Sequence, residues 1–198
     1  MLNAKTLVAL HDQATQRWHE ETATAPGEVP AEDLARLVLD QHRANFDLWH
    51  QEDDARAPDA SDHAIAEVKH NIDSLNQRRN DLVECLDRLL LTEAGQQNET
   101  ARLHSETPGM IVDRLSILAL KVYHTRIEAL RESATAGHRA RNQARLETLE
   151  LQRTDLAQCL DELWQDILAG QRRFHLYLQM KMYNDPELNP AVYKKHCA

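Results

Sequence analysis

Apolar residues recur at three- and four-residue spacing along most of the chain, the pattern of helices that bury one face. Leu7, Leu10, Ala14 and Trp18 mark a first helix over about 2–22, and Pro26-Gly27 and Pro30 break the chain after it. A second helix is expected from about Glu32 to Arg56, closed by Pro58 and the polar residues up to Asp62. Ser61 or Asp62 can cap a third helix that runs to about Leu91. Its Ile65, Val68, Ile72, Leu75, Leu82, Leu86 and Leu89 alternate threes and fours in one seam, and the vacant place in that seam holds Arg79. A polar stretch follows over 92–106; then Thr107 is a natural N-cap and Pro108 suits the first position of a fourth helix ending near Arg131. A loop with Gly137 leads to a fifth helix over about 139–169, which Gly170 stops. A last helix is expected over 171–183, ended by Asn184-Asp185-Pro186, before an irregular tail.

The chain also matches itself. A shift of 74 residues lays Arg79–Leu89 over Arg153–Leu163 with seven of eleven positions identical, and without gaps it lays Leu48-Trp49-His50 over Val122-Tyr123-His124. One register joins two helices in each half, so the repeated unit is a hairpin, about 32–91 and 106–169. The expected fold is therefore all-α: a duplicated helical hairpin forming a four-helix bundle in one domain over 1–198. The N-terminal helix 2–22 and the C-terminal helix 171–183 would pack outside it.

Composition supports this picture. Only five glycines and six prolines are present, too few for a sheet that turns every 8–12 residues or so. A net charge of −9 repels phosphate backbones and argues against general nucleic-acid binding. The basic tail, with Arg172, Arg173, Lys181, Lys194 and Lys195, reads as a solvated face or a cover for the acidic segment 31–62. Cys85, Cys159 and Cys197 form neither a disulfide framework nor a metal knuckle, and Cys85 and Cys159 read as buried, inert thiols. The absence of a signal peptide or a long apolar run leads to the expectation of a cytoplasmic protein that does not enter a membrane.

Candidate chemistry lies where ionisable residues interrupt apolar faces. Arg79 and its counterpart Arg153 occupy seam positions, and a buried guanidinium demands a carboxylate, an anion or water. Asp40 and Asp113 fall near the same layer and could supply an internal salt bridge; the sharper reading is a pocket for an anionic small molecule. His50 and His124 are likewise duplicated, as candidates for acid–base work, and Asp40 with Arg114 and Asp47 with Lys121 are expected to pair across the halves. Of the bundle di-metal motif only Glu67-x-x-His70 is present and its counterparts are Arg141 and Ala144, so neither a metal nor another cofactor is expected. Trp49, Trp164 and Tyr123 read as core aromatics.

Four long motifs resemble a bacterial family known as domain of unknown function 4254. They are Leu48–Asp53, Ile72–Asp81, Ser105–Gly109 with Asp113–His124, and Lys181–Pro190. The resemblance spans nearly the whole chain and implies a helical bacterial protein without an established activity, so it carries over no catalytic residues. Val122 stands where the family has isoleucine, which alters nothing. The motifs add Asn76, Asn80 and Asp185 to the residues of interest; Asp73, Asn76, Asn80 and Asp87 form a stripe that reads as a solvated face. The expected function is to bind or act on a small anionic metabolite. Arg79, Arg153, Arg114, Lys121, Asn76 and Asn80 would hold it, and His50, His124 and Asp113 would move protons. The alternative is a helical interaction or scaffolding protein whose buried charges fix packing register, with a homo-oligomer open in either case.

Overall fold

The computed structural model describes residues 2–20, 33–58, 60–180 and 187–189. Five helices dominate: α1 (Ala4–Glu20), α2 (Asp33–Asp54), α3 (Asp62–Ala94), α4 (Pro108–Leu130) and α5 (Ala136–Leu168). The breaks expected at Pro26, Gly27 and Pro30, Cys197, the Lys181–Asp185 motif and the irregular tail lie outside the described residues, apart from 187–189. Side chains start three of the helices. Ser61 accepts from Ala64 N, Thr107 from Met110 N and Thr135 from His138 N, each satisfying one amide with no partner in the first turn. Thr135 therefore starts α5 at Ala136 and draws Gly137 into its first turn, where a loop was expected.

Helices α2 and α3 pack along each other, as do α4 and α5, and α4 also touches α1, α2 and α3. Ile111, Val112, Leu115, Ala119, Leu120 and Val122 of α4 are each at most 2% exposed, which makes it the central helix. Positions 74 residues apart share burial: Val38 with Val112, Ile72 with Leu146, Leu86 with Leu160 and Leu90 with Trp164 are all in the core. The α3 seam is buried chiefly at its C-terminal end, around Leu86 and Leu90, whereas Ile65 is exposed.

Two expectations fail. First, α1 is not an outer helix: it packs on α4, α2 and α5, and its Ala4 and Leu7, with Leu2 just before it, belong to the main core cluster. Second, no helix forms over 171–180; 181–183 lie outside the described residues. Gly170 turns the chain at φ +69°, and strand β2 (Arg172–Arg173) pairs in parallel with β1 (Arg102–Leu103). Phe174 is fully buried, and the Gln97 amide takes both its backbone groups, accepting from Phe174 N and donating to Phe174 O at 2.9 Å. A backbone satisfied in this extended way has no need of helical bonds. Among the described residues, no helix is long and apolar enough to cross a membrane.

Candidate functional site

A layer of buried polar side chains crosses the core. On α3, Arg79 donates from Nε and one Nη to the two carboxylate oxygens of Asp113 on α4, and this fork raises the arginine pKa further. Gln41 and Asn45 of α2 donate to the same Oδ1 of Asp113. Asn45 also donates to Ser116 Oγ at 2.9 Å, and that hydroxyl lies 2.7 Å from His42 Nδ1. The other His42 nitrogen lies 2.9 Å from Thr15 Oγ1 on α1. His42 is fully buried, and desolvation lowers its pKa to about 3, so it is neutral. His11 packs on it with ring centroids 4.6 Å apart, also fully buried and also lowered, by burial first and then by His42 and Arg153. Arg153 donates to Asp12 on α1 at 2.7 Å. The two seam arginines thus stand at opposite ends of one polar layer and take different acids.

His42 and Ser116 are 74 residues apart, as are His50 and His124, whose ring centroids are 6.1 Å apart. Equivalent residues of α2 and α4 meet two turns apart along each helix, so those helices run parallel in register. The charge pairs expected from that arrangement do not form. Asp47 accepts from Arg43 one turn back and Arg114 donates to Glu106, because Asp40 and Asp47 lie off the stripe of α2 that faces α4.

Aromatic and imidazole rings fill the next layer. His50 donates from Nδ1 to the Phe46 carbonyl, and its ring lies 5.2 Å from His19. His19 in turn stacks on Tyr123 and meets His124 at 5.0 Å. His124 is held neutral, with its pKa lowered to about 4 by burial, then by His19 and His50, against a smaller opposing effect of Asp53. Its ring lies parallel to the Trp49 indole, 4.6 Å away at an interplanar angle of 4°. No group of three His, Cys, Asp or Glu side chains among the described residues is arranged to hold a metal ion.

Of the residues expected to bind a ligand, Arg79, Asn76, Arg114 and Lys121 divide between two grooves, and Arg153 lines neither. Arg79 and Asn76 line one of about 470 Å³ between α2, α3 and α4, together with Asn45, Trp49, Glu52 and Asp53. The Asp113 fork leaves one Nη of Arg79 without a partner among the described residues. Arg114 and Lys121 line a second groove of about 720 Å³ between α4 and α5, with Asp155 and the exposed thiol of Cys159, which is not the buried cysteine expected. His50 faces neither and borders a shallow space between α2 and α3, Asn80 is half-buried, and Asp113 is enclosed by the four bonds it accepts.

Several of these residues escaped the sequence reading. Gln41, His42 and Asn45 interrupt the buried face of α2 just as Arg79 interrupts that of α3, so the same signal marked them. Asp87, expected on a solvated face, is 2% exposed. It accepts from Thr107 Oγ1 and from Gly109 N at the start of α4, and burial raises its pKa to about 6 against those bonds. His104, not singled out from sequence, donates from its backbone to Arg173 O and from ring Nδ1 to Glu106 O, at the mouth of the α4–α5 groove.

A family model described as a protein of unknown function, DUF4254, matches residues 35–176, which takes in α2 to α5 and β2. No curated protein and no solved structure matches the chain.

Proposed function

As the chain belongs to the DUF4254 family, whose description names no activity, its function has to come from its own chemistry, and we propose that it binds a small anionic metabolite in the groove between α2, α3 and α4. One observation carries this reading: a guanidinium fixed by a buried carboxylate keeps one Nη without a partner among the described residues while lining a groove. Such a group is preorganised, since Asp113 holds it, and Gln41 and Asn45 hold Asp113, before any ligand arrives. Its volume falls within the roughly 300–1,000 Å³ of small-molecule sites. In this reading Asp113 positions Arg79 instead of moving protons, and His124 supports Trp49 from behind.

The fork itself favours a second reading. Arg79 with Asp113 and Arg153 with Asp12 are complete ion pairs, as in an interaction protein whose charges only set packing register. A thermal-shift screen of phosphates and carboxylic acids separates the two. A ligand at 100 times its Kd stabilises by about 2.7 kcal/mol, which in a chain of this size raises Tm by roughly 5–11 °C. Arg79→Lys, which keeps charge but loses the fork, should abolish that rise while the chain stays folded. If no anion moves the wild-type Tm, the scaffold reading stands.

A further inference from the structure

Resting on that reading, we propose that the ligand of the α2–α3–α4 groove is a sugar ring bearing one acidic group, a phosphate or a carboxylate. A guanidinium alone would suit any anion, and the rest of the lining narrows the choice. Trp49 presents an indole to the groove, and the parallel imidazole of His124 fixes its plane. The faces of a pyranose carry C–H groups that rest on an aromatic π surface, whereas a linear acid gains nothing from such a wall.

The polar groups beside the indole are flat and bidentate. The Asn76 amide is half-buried, and the Asp53 carboxylate is exposed; neither has a protein hydrogen bond among the described residues. An amide offers two donors and two lone pairs, and a carboxylate offers acceptors on both oxygens. Each can bridge neighbouring hydroxyls, which occur as vicinal pairs on a sugar and rarely elsewhere among small acids. Asp53 also argues against a compact anion such as inorganic phosphate, because it stands in the same groove as Arg79 and would repel a second charge placed against it. Glu52 and Arg56 also line the groove but pair with each other at 2.7 Å, which leaves the Arg79 guanidinium at one place and the Asp53 carboxylate at another to match a ligand with its charge at one end and hydroxyls at the other.

Isothermal titration of the full chain with inorganic phosphate, glycerol 3-phosphate, glucose, glucose 6-phosphate and glucuronate tests this. The sugar acids, phosphate or uronate, should bind at least tenfold more tightly than glycerol 3-phosphate, inorganic phosphate or glucose. The relative affinities of the two sugar acids identify the acidic group. Trp49→Ala should remove that tenfold margin and Trp49→Phe keep most of it. Asp53→Ala, at an exposed position where folding is not at stake, should lower sugar-acid affinity without lowering that for inorganic phosphate, which carries no vicinal hydroxyls. If all anions bind alike, depend on Arg79 and ignore Trp49 and Asp53, the sugar inference is overturned and the anion reading survives. Glucose binding as tightly as its phosphate would overturn the inference from the other side, and binding of none of these probes overturns both.

Discussion

His42 offers a direct test of the buried polar layer through pH. In the unfolded chain its imidazole titrates near the ordinary value of about 6.5, whereas in the fold its pKa is lowered to about 3. Below pH 6.5 the unfolded state therefore binds a proton that the native state refuses. Stability is unaffected by this group above that pH, falls as pH drops through 6.5, and levels off near 3. Each pH unit within the window is worth about 1.4 kcal/mol, so between pH 7.5 and 5.0 the loss from this residue is about 2 kcal/mol. That is a large share of a typical stability of roughly 5–15 kcal/mol. Urea denaturation followed by circular dichroism at both pH values measures it, with His42→Gln as the control. The glutamine variant lacks the Thr15 and Ser116 geometry and starts less stable, but it should lose about 2 kcal/mol less than wild type on going to pH 5.0. Other groups titrate in the same range: Asp87, with its pKa raised to about 6, gains stability as pH falls from 6 towards 3.8. Such contributions are common to both proteins and cancel in the comparison. Parallel pH profiles for wild type and variant would refute the claim that His42 is buried and neutral.

Further outcomes follow from the same packing. Gly109→Ala should destabilise by about 1–3 kcal/mol, because the added Cβ would stand 2.6 Å from Asp87 Oδ1 and 2.9 Å from the Val83 carbonyl oxygen; a chemical melt equal to wild type refutes the close approach. Arg79→Met should cost about 3–5 kcal/mol by leaving the Asp113 charge buried and unpaired, and adding Asp113→Asn should recover part of it, as a double-mutant cycle would show. Leu86→Ala and Leu160→Ala, equivalent in the proposed duplication and both fully buried, should each cost about 2–5 kcal/mol; a negligible cost at either would break the equivalence. Gln97→Ala removes two bonds to the Phe174 backbone and should speed limited proteolysis after residue 170 by several-fold.

The helices were legible in the chain because their information is local. Apolar spacing, Ser61 and Thr107 as caps, Pro108 at a first turn and Gly170 at a stop act within a few residues, and α2, α3 and α4 end within a few residues of where those signals placed them. Arg79 and Arg153 were legible for a related reason, since a permanent charge in an apolar seam implies a partner whatever the fold. Which partner depended on tertiary contacts. Asp113, which Arg79 takes, was one of the two acids expected in its layer and Asp40 the other, but Arg153 takes Asp12 because α1 packs against α5 in the core, and nothing in the spacing of α1 says which helices it will join. The segment after Gly170 carries apolar residues at helical spacing, yet Gln97 and β1 capture its backbone from the other end of a long hairpin. The parallel, in-register seating of α2 on α4 likewise sends Asp40 and Asp47 aside and brings His42 to Ser116 and His50 to His124. Periodicity tells which residues of a helix share a face; only the packing of whole helices decides what that face will meet.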